Sequence, residues 1–310
     1  MLEVIRPGLQ STVQDLGRSG VRHLGIAQGG ALDREALILA NRLVGNPAGA
    51  AGIELVLGAA EFRLLRDGWL ALTGADCAAT LDGEAVWHGW RWRVRRGQRL
   101  RLSAPRHGMR TYLALDGGLA VAQVMGSRAT ELQAGFGGHQ GRALQAGDRL
   151  PLGAPLSHDG PLGVWLRESD ACLRVLPGPE CDEFEPAAVA ALWQGEWRLN
   201  PASNRMGVRL DGPALVRSHS RELASHGVLP GVIQVPPGGQ PIVLLADGQT
   251  TGGYPRIGCV IDADLWKLAQ ARPGARLRFS PVTREQALAA RREWQQYLYR
   301  FEWMAYGKTH

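Results

Sequence analysis

The sequence predicts a mainly β protein with a few short helices, organised as two β-rich domains. Three observations carry that reading. Glycine (41) and proline (18) are abundant and scattered through 310 residues, which favours many turns between short strands over a helical bundle. The apolar runs are short and bounded by turn residues. One phrase also recurs: Gly97-Gln-Arg-Leu-Arg-Leu, Gly147-Asp-Arg-Leu-Pro-Leu and Gly274-Ala-Arg-Leu-Arg-Phe, each a turn glycine followed by an alternating strand. Its spacing is irregular, so it marks a reused hairpin unit and not a solenoid.

In order, residues 2–6 read as a strand stopped by Pro7-Gly8. A polar cluster follows: Gln10, Ser11, Thr12, Gln14, Asp15 and Arg18. Asp33 is placed to cap a helix over the apolar stretch 36–44, and Gly45 and Pro47 end it. Residues 54–57, 61–65, 69–73 and 111–115 read as strands. The turn-rich stretch 157–169 places a domain boundary, giving a first domain over 1–165 and a second over 166–282, with a helical tail over 283–310. In the second domain a strand at 173–176 precedes a helix near 186–193 with Pro186 in its first turn. Gln234 lies inside an apolar run, where a buried amide needs partners. Asp262 is placed to cap a short helix, and Thr283 with Gln286 forms a capping box. In the tail Leu288, Trp294, Leu298 and Phe301 are helically spaced, as for a helix packed on the body or on a partner.

The composition is that of an ordinary globular chain, with 45% hydrophobic and 21% charged residues. The formal charge is +6, and lysine occurs only at 267 and 308. Arg91-Trp-Arg-Val-Arg-Arg96 alternates as a strand with a solvated face, so the reading is no nucleic acid. The start of the chain lacks a signal peptide's basic and apolar regions, and no apolar run approaches membrane-spanning length. Four widely spaced cysteines, Cys77, Cys172, Cys181 and Cys259, read as reduced thiols. The expected setting is cytoplasmic, with no membrane.

Several chemistries lack their motifs. There is no Walker-type phosphate loop, no recognisable metal-ligand spacing and no nucleophile elbow. Gly135-Phe-Gly-Gly-His-Gln-Gly departs from a dinucleotide fingerprint at Gln140. What remains is a set of polar segments: Gln14-Asp-Leu-Gly-Arg18, Ser203-Asn-Arg205, Gln234, and the loop from Asp247 to Arg256 between apolar runs at 242–246 and 257–261. That last loop reads either as a wide hairpin satisfying its own backbone or as a binding loop on a strand scaffold. Such groups orient amides and carboxylates, and a carboxylate serves as a general base. They point to a small polar ligand without fixing a reaction.

These segments also carry a family resemblance. Ser11-Thr-Val-Gln-Asp-Leu-Gly-Arg18, Gly30-Ala-Leu-Asp33, Ala40-Asn-Arg-Leu-Val-Gly-Asn46, Ser203-Asn-Arg-Met-Gly-Val-Arg-Leu210, Gly231-Val-Ile-Gln-Val-Pro-Pro237 and Ala246-Asp-Gly-Gln-Thr-Thr-Gly-Gly-Tyr-Pro255 resemble the allophanate hydrolase subunit 2, or KipA, family of biotin-dependent carboxyltransferase-like proteins. The match runs in order from about residue 3 to about 282. The resemblance implies two cyclophilin-like β-barrel domains. For a free-standing chain of this length it implies a part in ATP-dependent opening of 5-oxoproline to glutamate, as the C subunit of a 5-oxoprolinase. The implied partners are a KipI-like protein and a LamB/YcsF-like protein, with ATP used in the assembled complex. No biotin is expected on this chain, which has no biotin-attachment sequence. Two alternatives come with the family: a regulatory protein binding a KipI-like kinase inhibitor, or half of a biotin-dependent carboxyltransferase acting on a urea-like substrate.

The site expectations follow from that resemblance. Asp247 is the candidate for a chemical role, as base or as orienter of the reacting amide. Gln234, Gln249, Thr250 and Tyr254 would orient substrate. Arg18, Arg205 and Arg256 would bind carboxylate or phosphate. Gln14 and Asp15 would bind substrate or support their loop.

Overall fold

The computed structural model describes residues 1–219 and 222–307. The chain forms two compact units: Met1–Ser19, Gly29–Arg167 and the described residues from Phe301 on in one, Gly20–Gln28 and Glu168–Arg300 in the other. This division differs from the consecutive one expected at 165/166 with a separate tail over 283–310. Segment 20–28 joins the second unit, where Arg22 Nη2 donates to the Val228 carbonyl at 2.5 Å. The end of the tail joins the first, where Glu302 pairs with Arg42 Nε at 2.6 Å and the Tyr306 hydroxyl donates to the Arg42 carbonyl.

The first unit contains strands β1 (Leu2–Arg6), β2 (Gln10–Gln14), β3 (Gly52–Val56), β4 (Glu61–Leu64), β5 (Gly68–Gly74), β6 (Thr80–Leu81), β7 (Glu84–Ala85), β8 (Arg91–Val94), β9 (Arg99–Arg101), β10 (Arg110–Leu115) and β11 (Arg149–Leu150). They make a six-stranded sheet, β11-β1-β4-β9-β6-β7, and a five-stranded sheet, β2-β3-β10-β5-β8. Val4, Phe62, Leu64 and Leu100 of the first sheet share one core with Val13, Ile53, Leu72 and Leu113 of the second. Burial of each such side chain stabilises by about 1.5–3 kcal/mol. Helix α1 (Arg34–Leu43) lays Ala40 and Leu43 against Ala71 and Ala114 of β5 and β10. Its cap is as the sequence predicts, with Asp33 Oδ1 accepting from the Ala36 amide at 2.9 Å. Strand β2 is the surprise. Its residues read only as a polar cluster, with no element assigned, yet it pairs with β3 from Gln10↔Val56 to Gln14↔Gly52, and Ser11, Thr12 and Gln14 are buried.

The second unit contains β12 (Cys172–Pro177), β13 (Trp197–Leu199), β14 (Gly207–Asp211), β15 (His226–Gly227), β16 (Val232–Gln234), β17 (Ile242–Leu244), β18 (Thr251–Gly252), β19 (Arg256–Val260) and β20 (Arg276–Pro281). A closed barrel runs β12-β19-β16-β17-β14-β13-β20, sealed by parallel pairing of β12 with β20. The expected barrel is therefore present here, whereas the first unit builds two sheets over one core. Short strands β15 and β18 pair on their own. The repeated glycine phrase is a real structural unit. Gly97, Gly147 and Gly274 take φ of 94°, 91° and 84° and lead into β9, β11 and β20 with Leu100, Leu150 and Leu277 buried.

Helix α2 (Pro186–Gln194) begins at its proline. A 3₁₀ turn at Asp262–Asp264 leads into α3 (Leu265–Gln270). Here the 3₁₀ turn has no side-chain cap, so the role expected of Asp262 is not filled, and the aspartate that ties this segment down is Asp264. It is fully buried and accepts from the Arg174 backbone amide (2.8 Å), Nε (3.0 Å) and Nη2 (2.7 Å). The tail is one helix, α4 (Arg284–Tyr306), opened by the predicted box: the Thr283 amide donates to Gln286 Oε1 and the Gln286 amide to Thr283 Oγ1. Its inner face at this end is Ala287 and Ala290 against Ile261 and Ala263, while Leu288 is exposed. Among the described residues, no helix is long and apolar enough to cross a membrane.

Candidate functional site

The candidate residues fall into two groups, one in each unit. In the first unit, β2 delivers Gln14, Asp15 and Arg18 to the loop 127–138. The Asp15 carboxylate accepts from the Gly17 amide (2.8 Å), Ser127 Oγ (2.6 Å) and the Arg128 amide (2.6 Å). Its lone pairs are committed to holding two loops together. Arg18 is 1% exposed, donates from Nη2 to the Ala129 carbonyl at 2.5 Å, and lies 4.6 Å over the Phe136 ring. Glycine is required beside it, because a Cβ at Gly137 would stand 2.4 Å from Arg18 Nη2. Gln14 Nε2 donates to Thr12 Oγ1 (3.0 Å) and the Thr130 carbonyl (3.3 Å), and its Oε1 is buried without a hydrogen-bond partner. Of the three, Gln14 retains hydrogen-bonding capacity for a further donor.

In the second unit, the loop after β17 carries most of the remaining candidates. Asp247 and Arg205 form a buried two-point ion pair, Nε to Oδ2 at 2.7 Å and Nη2 to Oδ1 at 3.1 Å. Gln234 is 1% exposed on the bulged end of β16. Its Oε1 accepts from Gln249 Nε2 at 3.0 Å and its Nε2 donates to the Tyr254 carbonyl at 3.4 Å, so one amide fastens both ends of the loop. A Cβ at Gly252 would stand 2.7 Å from Gln234 Nε2, which is why the loop passes over the amide at a glycine. The Thr250 carbonyl accepts from the Val228 amide at 3.0 Å. Arg256 is gripped by Glu180, which accepts from its amide (3.0 Å), Nε (2.8 Å) and Nη2 (2.7 Å). The Arg256 hydrogen bond holds the Glu180 carboxyl below the usual carboxylate range, and the nearby His226 ring acts in the same direction.

A cavity of about 570 Å³ opens beside this loop, walled by Leu215, Val235, Pro236 and Pro255. Tyr254 lines it and is 46% exposed. Sequence reasoning did not anticipate Glu180, because the charge it neutralises is 76 residues away. Nor did it anticipate the cavity, whose walls come from separate apolar segments. Burial pushes the Cys77 and Cys181 thiols up, and Cys259 to about 11, which favours the neutral thiol at these three positions. Among the described residues, no cluster of His, Cys, Asp or Glu is arranged to hold a metal ion.

Comparison with known proteins agrees with this architecture. The family model described as "Carboxyltransferase domain, subdomain A and B" matches residues 24–281. The chain is 50% identical to the C subunit of 5-oxoprolinase from Escherichia coli over the whole of both chains. It is 39% identical to the Haemophilus influenzae protein of the same name, covering 96% of each. The urea amidolyase of Lachancea kluyveri is 31% identical, but this chain spans only 17% of its length. Among solved structures, the Kluyveromyces lactis urea amidolyase superposes with TM-score 0.90 at 27% identity, over 97% of this chain and 20% of that one. The protein TTHA0988 does so with TM-score 0.82 at 39% identity, over 90% of this chain and 55% of that one. A family match spanning most of the sequence, relatives of equal length and a shared fold agree: the chain belongs to the carboxyltransferase domain family, subdomains A and B.

Proposed function

We propose that this chain serves as the C subunit of an ATP-dependent 5-oxoprolinase. It acts with a KipI-like partner to activate 5-oxo-L-proline and with a LamB/YcsF-like partner to complete hydrolysis to L-glutamate. The observation that carries this reading is the 50% identity, over the full length of both chains, to the Escherichia coli C subunit. The urea-linked relatives support a carboxyltransferase role less well, since they are less identical and this chain spans a small part of each. The chain is inactive alone under this proposal.

The residues support a substrate-holding role more than a complete reaction centre. Both Asp247 oxygens accept from Arg205, so Asp247 acts as an orienter of Arg205 and of its loop, and proton abstraction is the weaker assignment. Gln234 and Gln249 fix the loop, and the exposed Tyr254 phenol meets the substrate at the cavity. The residues expected to meet phosphate do not fit a triphosphate. Arg18 is tied to a carbonyl, Arg205 to Asp247 and Arg256 to Glu180. ATP is accordingly assigned to the assembled complex, and these side chains carry no step through it.

The test is ATP-dependent conversion of 5-oxoproline to glutamate with all three proteins together and with each omitted. Turnover that vanishes when this chain is left out supports the proposal. Full turnover without it sinks it. In the active complex, Tyr254→Phe raises KM with little change in kcat.

A further inference from the structure

The six-stranded sheet of the first unit turns one face to its core and one away. Val4, Phe62, Leu100 and Leu150 go inward. Alternation sends Glu3, Glu61, Arg63, Arg99, Arg101 and Arg149 to the other side. Strand register then sets these charges in rows. Arg149, Glu3, Arg63 and Arg99 stand side by side across β11, β1, β4 and β9. Arg6, Glu61 and Arg101 form a second row across β1, β4 and β9. Neighbouring strands lie about 4.8 Å apart, so the longer row runs roughly 14 Å. That span exceeds a small anion and suits a macromolecular surface.

The two signs are not evenly presented. Each glutamate is held between two arginines: Glu3 by Arg63 (3.2 Å) and Arg149 (3.4 Å), Glu61 by Arg99 (3.4 Å) and Arg101 (3.3 Å). The glutamate side chains are only 12–13% exposed, whereas those of Arg99, Arg101 and Arg149 are 45%, 61% and 62% exposed. The carboxylates thus form the floor, and the guanidinium groups stand above it. Each arginine meets its glutamate through one nitrogen of a five-donor fork, so donors remain for a second carboxylate. Five arginines against two glutamates leave these rows with a charge of +3. The chemistry favours carboxylate over phosphate partners. No aromatic residue lies among the outward side chains to stack a base, and the fixed glutamates repel a continuous phosphate backbone. No lysine stands there for a lipid headgroup, since lysine occurs only at 267 and 308.

We infer that this arginine face docks an acidic protein segment, whose carboxylates enter between the guanidinium groups of Arg63, Arg99, Arg101 and Arg149. The inference concerns the first unit alone and stands or falls apart from the proposed function. Glu3 and Glu61 act as internal competitors: they hold the arginines in place and weaken the docking they prepare.

The experiment titrates the full-length chain into fluorescein-labelled poly-L-glutamate at physiological ionic strength and follows anisotropy. Arg99→Gln with Arg101→Gln weakens Kd about tenfold. Glu3→Gln with Glu61→Gln removes the competing charges, keeps an oxygen for each arginine and tightens Kd severalfold. Damage to the fold does not produce that gain, so this arm separates docking from stability. Arg209→Gln with Arg292→Gln, exposed arginines of the second unit, makes the same change in net charge and leaves Kd nearly unchanged. No wild-type binding overturns the inference, and so does a glutamine pair at positions 3 and 61 that fails to tighten it. Equal weakening by the control pair reduces the effect to net charge and overturns the site. Tighter binding to oligothymidylate or to phosphatidylserine vesicles, lost in Arg99→Gln with Arg101→Gln, reassigns the face to a phosphate-bearing partner and overturns the inference as well.

Discussion

Asp247 and Arg205 are drawn together across 42 residues into a pair almost wholly out of water. A buried ion pair gives little net stability, but breaking it leaves a lone buried charge. Asp247→Ala and Arg205→Ala should each destabilise by about 3–5 kcal/mol, and the double variant by clearly less than their sum. Urea unfolding of the three variants checks this, and strict additivity would contradict a direct pair. Loss of activity in Asp247→Ala therefore has to be read beside its stability. At Asp148 the relevant variable is pH. Its hydrogen bond to Arg142 lowers its pKa to about 2. A depressed carboxyl contributes stability above its unfolded pKa, roughly 3.9, and that contribution is lost as pH falls toward 2. Asp148→Asn should therefore lower the urea midpoint at pH 6 and flatten its decline between about pH 4 and pH 2. An unchanged acid limb would remove Asp148 from the account.

At the scale of elements, the loop between β17 and β19 owes its shape to Gln234. Gly252→Ala places a methyl on that amide, so it should release the loop, speed amide exchange over 249–254 and raise KM for substrate in the complex. Gly227→Ala, opposite Thr251 on β15 with open space at its Cβ, serves as the neutral control. Equal behaviour of the two variants would refute the clamp. This loop also shows how far the sequence is readable. Its strands at 242–246 and 257–261, the α1 caps at Asp33 and Gly45, and the Thr283–Gln286 box are local signals, and each appears near its expected place. What Gln234 bonds to is not local, so its amide reads equally as a substrate ligand or as a clamp. β2 misleads for the same reason. Gln14 donates to the Thr130 carbonyl and Thr130 bonds back to the Val13 carbonyl, so the distant partners that bury this polar segment as a strand cannot be seen when it is read alone.

For the whole molecule, the path of the chain matters more than the number of units. A consecutive cut after residue 165 leaves segment 20–28 behind, yet that segment belongs with the barrel. Arg22 reaches from it to the Val228 carbonyl and, at 3.4 Å, to the Gln249 carbonyl. The Val228 amide in turn donates to the Thr250 carbonyl. The loop that holds most candidate residues is thus braced by a piece of chain some two hundred residues earlier. A fragment covering 168–300 has its barrel strands but exposes the surface that segment 20–28 covers, and it loses the bracing donor. It should express as a less stable protein with rapid exchange at 228 and 249–250, and a synthetic 20–28 peptide should slow that exchange. The same peptide with Arg22→Ala should not. If the bare fragment already matches the intact chain in exchange over the loop, the bracing is dispensable, and the site organises itself from the barrel alone.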